Sequence, residues 1–151
     1  MRLNPRNQQS QEFKMADAVT SQTILDGERL FIGKFTNLSD GTGETAVVKI
    51  DVSTLRPNAA GNACNGVKIN RIWSTTHGLQ VRILFDATVD AFAWIIPQNS
   101  NYLMDFSTFG GLPSNAGAGV TGDVAFTTQD SSAGDTYTIV LECIKTYGTQ
   151  P

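Results

Sequence analysis

Residues 79–85 read LQVRILF, and this stretch decides the fold class. Its alternate residues Leu79, Val81, Ile83 and Phe85 are apolar and fall on one side of an extended chain. Side chains in a strand alternate between two faces, whereas a helix repeats every 3.6 residues, so the stretch predicts a half-buried β-strand. Residues 137–143, YTIVLEC, repeat the same period of two and predict a second strand.

Short β-rich runs separated by turn residues fill the chain from residue 24 onward. They predict eight or nine strands at 30–36, 45–52, 66–74, 79–85, 92–96, 102–106, 124–128 and 137–143, with a weaker one near Ile24. Phe92, Trp94 and Ile96 are assigned to one face of their strand, which Pro97 ends. The alternation breaks near Asn70–Arg71, which predicts a β-bulge there.

The predicted fold is all-β: one antiparallel β-sandwich domain, jelly-roll-like, with an extended N-terminal arm. Its 151 residues suit one core, 40% of them are hydrophobic, and long helical patterns are missing. Residues 1–22 have no apolar period and are predicted to be a flexible arm. The sandwich domain is assigned to residues 23–148 and a C-terminal tail to 149–151.

Charge and hydropathy restrict the class of partner. The formal net charge is −3, with +2 in residues 1–14 and −5 in the remainder. This net negative charge argues against direct binding to nucleic acid or to an anionic membrane surface. No apolar run is long enough to span a membrane or serve as a secretory signal, so we expect synthesis in a cytoplasm. Cys64 and Cys143 are expected to be free thiols.

The inventory of reactive side chains predicts no enzyme, no cofactor and no metal site. His77 is the one histidine and precedes Gly78, where an exposed turn residue is expected. Asp86 and Asp90 bracket a short hairpin and are interpreted as turn residues rather than as a catalytic pair. Asp40 and Glu44 do not have the spacing of a calcium-binding loop.

The glycine-rich segment 107–123 is predicted to be a long surface loop. Gly117, Gly119 and Gly122 match G-x-G-x-x-G, but a strand follows them where a dinucleotide site requires a helix. The segment is therefore expected to be flexible or to form an interface. The sequence around Phe109 offers few apolar side chains for its ring to pack against, so Phe109 is predicted to contact a partner.

The aromatic residues leave a second interpretation open. Trp73, Trp94, Tyr102, Phe106 and Phe109 together would be enough for a sugar-stacking platform. Trp94 lies between two apolar residues of its strand and is expected to be a core residue instead.

Several segments in order resemble a family of small virion proteins of tailed bacteriophages. They are LFIGKFTNLSDGTGETAVVKIDVSTL, GVKINRIWSTTHGLQVRILFDATVDAFAWIIP, MDFSTFGGLP, TGDVAFTT and GDTYTIVLECIK, and they span about residues 26–145. The group is similar in size and β-rich character to capsid decoration, or cement, proteins. The basic leader before Met15 departs from the family pattern.

The resemblance implies an adhesive structural role on the outside of an assembled capsid. The implied partners are the major capsid protein and further copies of this chain, as a dimer or trimer, and the implied location is the virion after synthesis in the host bacterial cytoplasm. The interface is predicted in the arm and in the 107–123 loop, at Arg2, Arg6, Phe13, Phe109, Leu112 and Val120. The alternative is a carbohydrate- or receptor-binding sandwich of a phage tail or fibre.

Overall fold

Nine strands and two short 3₁₀ turns make up a computed structural model that describes residues 17–148. The strands are β1 (Ala18–Asp26), β2 (Leu30–Asp40), β3 (Val47–Ile50), β4 (Cys64–His77), β5 (Gln80–Phe85), β6 (Ala91–Ile96), β7 (Asn101–Asp105), β8 (Val124–Gln129) and β9 (Ala133–Tyr147). The 3₁₀ turns are Val52–Thr54 and Ser107–Phe109. The part of the chain described contains no helix long and apolar enough to cross a membrane.

The strands form two antiparallel sheets. Sheet A has the order β1-β2-β9-β4-β7 and sheet B the order β3-β8-β5-β6. Strands β2 to β9 pair first with last, as β2 with β9, β3 with β8, β4 with β7 and β5 with β6, and successive pairs lie in opposite sheets. This is the double Greek-key arrangement of a jelly roll, so the predicted fold class is confirmed. Strand β1 extends sheet A beyond the eight jelly-roll strands.

One hydrophobic core lies between the sheets. The inward residues of β5 and β9 are those that the period of two selected, and Val81, Ile83, Ile139 and Leu141 are fully buried. Phe126 packs edge-on against Phe35 and Tyr137, with ring centroids 5.5 and 5.7 Å apart. The predicted bulge is confirmed, because the pairing of β4 with β9 shifts register between Ile69 and Arg71.

The N-terminal boundary was predicted wrongly. The arm was expected to continue to residue 22, but Ala18–Asp26 form a strand that pairs with β2 along its length. All eight residues from Ala18 to Leu25 are exposed. A strand wetted on both faces needs no apolar alternation, so its sequence carries no period to detect. Residues 1–16 and the tail 149–151 lie outside the described part of the chain.

Candidate functional site

The predicted interface residues of the 107–123 loop have different surroundings. Phe109 ends the second 3₁₀ turn and keeps 63% of its surface exposed, with its ring 6.1 Å from that of Phe106. Val120 is 53% exposed. Leu112 is half-buried and its backbone exchanges two hydrogen bonds with Ile69, so it extends sheet A. Arg2, Arg6 and Phe13 lie outside the described residues.

The 107–123 loop, expected to be flexible or to form an interface, is held against the sandwich near Thr121 and Gly122. The amide of Thr121 donates to the carbonyl of Asp86, and its hydroxyl donates to the Asp86 carboxylate at 2.7 Å. Gly122 has φ of 88°, and a Cβ there would lie 2.8 Å from the carbonyl carbon of Asn65. Glycine is therefore required at this position for close packing on the start of β4.

The five aromatic residues do not form one platform. Phe106 is buried, and Trp94 packs edge-on against it at 5.1 Å, as expected of a core tryptophan. The indole N–H of Trp94 donates to the hydroxyl of Tyr102 at 3.2 Å. Trp73 faces outward instead and is 39% exposed. Among the aromatics considered, only Trp73 lies on the outer face of sheet A.

A row of side chains crosses the outer face of sheet A through Trp73. The strand registers place Leu103, Trp73, Val140, Lys34 and Gln22 opposite one another on five adjacent strands. Leu103 is 49% exposed. Beside Trp73 lies a shallow cleft of about 350 Å³ that Tyr102, Leu103, Thr138 and Val140 help to line. We call this set of five the Trp73 row.

Polar groups flank the Trp73 row on both sides. Two residues further along each strand, on the same face, the registers align five polar residues, which we call the polar row: Asn101, Thr75, Thr138, Thr36 and Thr20. With strands about 4.8 Å apart, the polar row is about 19 Å long. On the other side, Arg71 forms ion pairs with Glu142 at 2.6 Å and with Asp105 at 3.4 Å. Arg71 carries one positive charge against the two carboxylates, and Lys34 in the Trp73 row supplies the second positive charge. The face therefore offers hydrogen bonds around Trp73 with little net charge.

One row of side chains across the outer face of sheet B is apolar. The registers align Val48, Ala125, Leu84 and Phe92 on its four strands, and Ile95 follows on β6. Phe92, Ile95 and Val48 are 56%, 43% and 45% exposed. We call these five residues the Phe92 patch. Leu84 and Ala125 on the central strands are only 6% and 0% exposed, so the exposed apolar area lies at the two edges of the sheet. Exposed apolar side chains that cluster, as Phe92 and Ile95 do, are typical of a surface that meets a partner.

A β-bulge creates the Phe92 patch and explains why the sequence prediction missed it. The pairing of β5 with β6 shifts between Ile83 and Leu84, so Trp94 lies opposite Ile83 while Phe92 lies opposite Leu84. Ala93 is the extra residue. The assignment of Phe92 to the same face as Trp94 and Ile96 is therefore wrong, because the added residue reverses the alternation.

Charged residues border the Phe92 patch. The guanidinium of Arg82 lies 6.0 Å from the ring centroid of Phe92. At the other end of the strands, Asp86 follows β5, Asp90 precedes β6 and Asp123 precedes β8. Burial and the neighbouring carboxylates of Asp51 and Asp86 outweigh the backbone hydrogen bond from Val52 and raise the pKa of Asp123. The patch thus has an acidic border at its loop end.

The titratable residues considered for catalysis have structural surroundings. His77 is exposed at the end of β4. The carboxylate of Asp90 accepts the amide of Ala87 at 3.1 Å, and Asp86 accepts the hydroxyl of Thr121, as turn carboxylates do. Within residues 17–148 no group of three His, Cys, Asp or Glu side chains is placed to hold a metal ion.

Both cysteines are free and buried. Burial raises the pKa of the Cys64 thiol and of the Cys143 thiol, so both are held in the protonated form. The protonated thiol is the less reactive form, and these positions are structural.

A buried polar cluster joins the start of β1 to the core. Asn37 donates to carboxylate oxygens of both Asp17 and Glu44 at 3.0 Å, and the hydroxyl of Tyr137 donates to Glu44 at 2.6 Å. Lys49 forms an ion pair with Glu44 at 2.5 Å, and their side chains are 2% and 5% exposed. Burial disfavours the charged form of Asp17, but hydrogen bonds from Asn37, Asp40 and Thr42 hold its pKa below the usual value. The cluster anchors Asp17, the residue before β1, to β2 and the core.

Comparisons with known proteins show little similarity in sequence. No family model and no curated protein matches the chain. Two solved structures that are similar in shape are family 29 carbohydrate-binding modules, one of them a mutant made to probe ligand recognition. The first shares 12% identity over 88% of this chain and 98% of its own, with a TM-score of 0.36. The second shares 10% identity over 85% and 90%, with a TM-score of 0.35. At these TM-scores the likeness carries no functional inference.

Proposed function

We propose that this chain is a structural virion protein that binds the outside of an assembled phage capsid and bridges neighbouring major capsid subunits. The observation that carries the proposal is the Phe92 patch, whose exposed apolar side chains lie on the two edge strands of sheet B, Phe92 and Ile95 on β6 and Val48 on β3. The segment series that resembles capsid decoration proteins supports the same role. Adhesion needs buried area and a rigid body, and a β-sandwich with exposed apolar side chains on one sheet supplies both.

The border of the patch defines the chemistry of the partner surface. Asp86, Asp90 and Asp123 at the loop end favour basic side chains beside an apolar centre on the capsid. A protein that binds only the assembled lattice stabilises that state by mass action, since each bound copy lowers the free energy of the assembled form alone. Many copies on one shell multiply a modest individual interface.

The size of the expected contribution follows from the exposure of Phe92. A phenylalanine offers about 200 Å² of surface, of which 56% is free here, so docking removes about 110 Å² from water. At about 25 cal/mol per Å² this contributes about 3 kcal/mol per bound copy as an upper estimate. Loss of this term corresponds to roughly a hundredfold weaker binding per site.

Co-sedimentation of the purified protein with expanded phage heads tests the proposal. The natural protein is expected in the pellet, and Phe92→Gln is expected to bind many times more weakly. Leu38→Gln is the matched control, because Leu38 is 53% exposed, close to the 56% of Phe92, but lies on β2 of sheet A. Equal binding of the two variants, or absence of the chain from the mass-spectrometric inventory of purified virions, would contradict the proposal.

A second candidate function is glycan binding on the outer face of sheet A. It is favoured by the exposed indole of Trp73, which has a shallow cleft on one side. The hydroxyl and amide groups of the polar row lie on the same face, two residues along the strands. Aromatic rings pack against the C–H faces of sugars while hydroxyl and amide groups bind the sugar hydroxyls. The charges of Arg71, Glu142 and Asp105 sum to zero together with that of Lys34, and this balance favours a neutral glycan.

Calorimetric titration with neutral cell-surface polysaccharides tests the glycan candidate. Trp73→Ala is expected to abolish binding, and Thr75→Val, which removes one hydroxyl of the polar row at nearly constant volume, is expected to weaken it. Phe109→Ala is the control, since Phe109 is an exposed aromatic residue that does not line the cleft beside Trp73. No binding to any host glycan by the natural protein would exclude this candidate.

A further inference from the structure

Strand β1 is the outermost strand of sheet A, and the described chain leaves one of its sides unpaired. It forms a register with β2 from Ala18 to Asp26, and no described strand lies beyond it. Sheet A has five strands and sheet B has four, and every residue from Ala18 to Leu25 is exposed. Within residues 17–148, the backbone N–H and C=O groups of β1 that point away from β2 have no strand to pair with.

The other three sheet edges carry features that obstruct pairing. Strand β3 has four residues and a register shift between Val48 and Ile50. Strand β6 contains the bulge at Ala93 and is followed by Pro97. Strand β7 has five residues and ends in a charged residue, Asp105. Short edges, bulges, charges and prolines are the means by which natural sheets avoid edge-to-edge association.

The β1 edge is longer and less protected. It pairs regularly for six residues, from Ala18 to Thr23, before a register shift near Ile24. Between Ala18 and Leu25 there is no proline, no glycine and no charged residue. Val19, Ile24 and Leu25 expose 39%, 52% and 43% of their surfaces. An uncharged strand with exposed apolar side chains on an open edge fits the addition of another strand.

A second copy of the chain fits this edge, because the β1 edge is uncharged over residues 18–25 and self-complementary. Residues 15–151 carry a net charge of −5, so two copies repel each other over most of their surfaces. In an antiparallel pair of β1 strands, the uncharged residues 18–25 of each copy face the uncharged residues of the other. An antiparallel edge is also self-complementary, as a two-fold interface requires.

We propose that two copies pair antiparallel through their β1 edges, about a two-fold axis perpendicular to the sheet, and form a continuous ten-stranded sheet. This dimer is independent of the Phe92 patch, which lies on sheet B. A two-fold axis of this kind keeps each residue on its own face, so the residue on the axis lies directly opposite its own copy. The regular segment places the axis at Thr20, Ser21 or Gln22.

Analytical ultracentrifugation of the full chain over a concentration series tests the proposal. We expect a concentration-dependent monomer–dimer equilibrium, with amides of alternate β1 residues protected from hydrogen exchange in the dimer. Ser21→Lys is expected to raise the dissociation constant at least tenfold, because it places two like charges across the edge. Gln98→Lys, at an exposed loop position, is expected to leave it within twofold.

Crosslinking through one introduced cysteine supplies a second, geometric measurement, since the natural Cys64 and Cys143 are buried. Residues directly opposite in an antiparallel pair have Cβ atoms about 4.5–5.5 Å apart, close enough for an intersubunit disulfide. Thr20→Cys, Ser21→Cys or Gln22→Cys is expected to crosslink under mild oxidation, and Gln98→Cys is not. A monomer at all concentrations, a trimer, or a dimer that neither Ser21→Lys nor these cysteines affect would overturn the proposal.

Discussion

Substituting glycine by alanine at three positions of the 107–123 loop separates two costs of packing this loop. Gly122 has φ of 88°, and an added Cβ would lie 2.8 Å from the Asn65 carbonyl carbon and 3.1 Å from the Gly66 Cα. Gly110 has φ of 81°, but no atom lies within 4 Å of its added Cβ. Gly117 has neither a positive φ nor a near neighbour. Gly122→Ala therefore carries both the backbone cost and the packing cost. Gly110→Ala carries the backbone cost alone, and Gly117→Ala carries neither.

The magnitudes follow from these differences. A left-handed conformation costs an L-residue about 1–2 kcal/mol, so Gly110→Ala should lower the free energy of unfolding by about that amount. Forcing a methyl group against packed backbone adds about 1–3 kcal/mol, so Gly122→Ala should lose about 2–5 kcal/mol. Gly117→Ala should stay within about 0.5 kcal/mol of the natural protein, or gain slightly from a less flexible unfolded chain.

Urea unfolding followed by tryptophan fluorescence measures all three variants under the same conditions. The expected order of stability is Gly117→Ala, then Gly110→Ala, then Gly122→Ala. If Gly122→Ala were as stable as Gly117→Ala, the loop would not be packed on β4 as described. If it matched Gly110→Ala, the backbone conformation alone would explain the glycine and the close approach to Asn65 would be refuted.

The remaining predictions concern buried and partly buried charges. Glu44→Gln leaves the buried Lys49 ammonium without its counter-charge and should lower the free energy of chemical unfolding by about 3–5 kcal/mol. The double variant Glu44→Gln, Lys49→Met should recover much of that loss. Equal stability of the single and double variants would refute the pairing. Folding lowers the pKa of Asp17, so its ionised carboxylate stabilises the folded state. This contribution is complete above the unfolded pKa near 4 and is lost as the pH falls through the folded pKa. Asp17→Asn should therefore flatten the acid side of the plot of stability against pH. The pKa of Asp123 is raised, which has the opposite sign: its ionised form opposes folding at neutral pH, so Asp123→Asn should raise stability at pH 7, and a loss there would contradict the assignment.

The sequence predicted the strands whose two faces differ and failed where a local event changed the alternation. The residues of β5 and β9 alternate because one face is buried and the other is wet, and their inward sets were assigned correctly. The bulge in β4 was visible because its apolar residues change phase at Asn70. The bulge at Ala93 was invisible, since AFAWII is apolar on both faces and no phase can be read from it.

The two outer rows were beyond sequence analysis for a different reason. Trp73 and Thr75 lie on the same face of β4 by simple alternation, but their neighbours Val140 and Thr138 are more than sixty residues away along the chain. Only the register between strands brings them together. A period of two within each strand allows many registers, and the observed one depends on the bulge and on the packing of the core.

The two functional candidates use opposite sides of one molecule and therefore do not exclude each other. The Phe92 patch lies outside sheet B and the Trp73 row outside sheet A, with the hydrophobic core between them. A protein fixed to a shell through sheet B would present sheet A to the surroundings. Phe92→Gln should then reduce capsid binding and leave glycan binding unchanged, while Trp73→Ala should do the reverse. If either variant abolished both activities while the protein stayed folded, the two surfaces would not be separate sites.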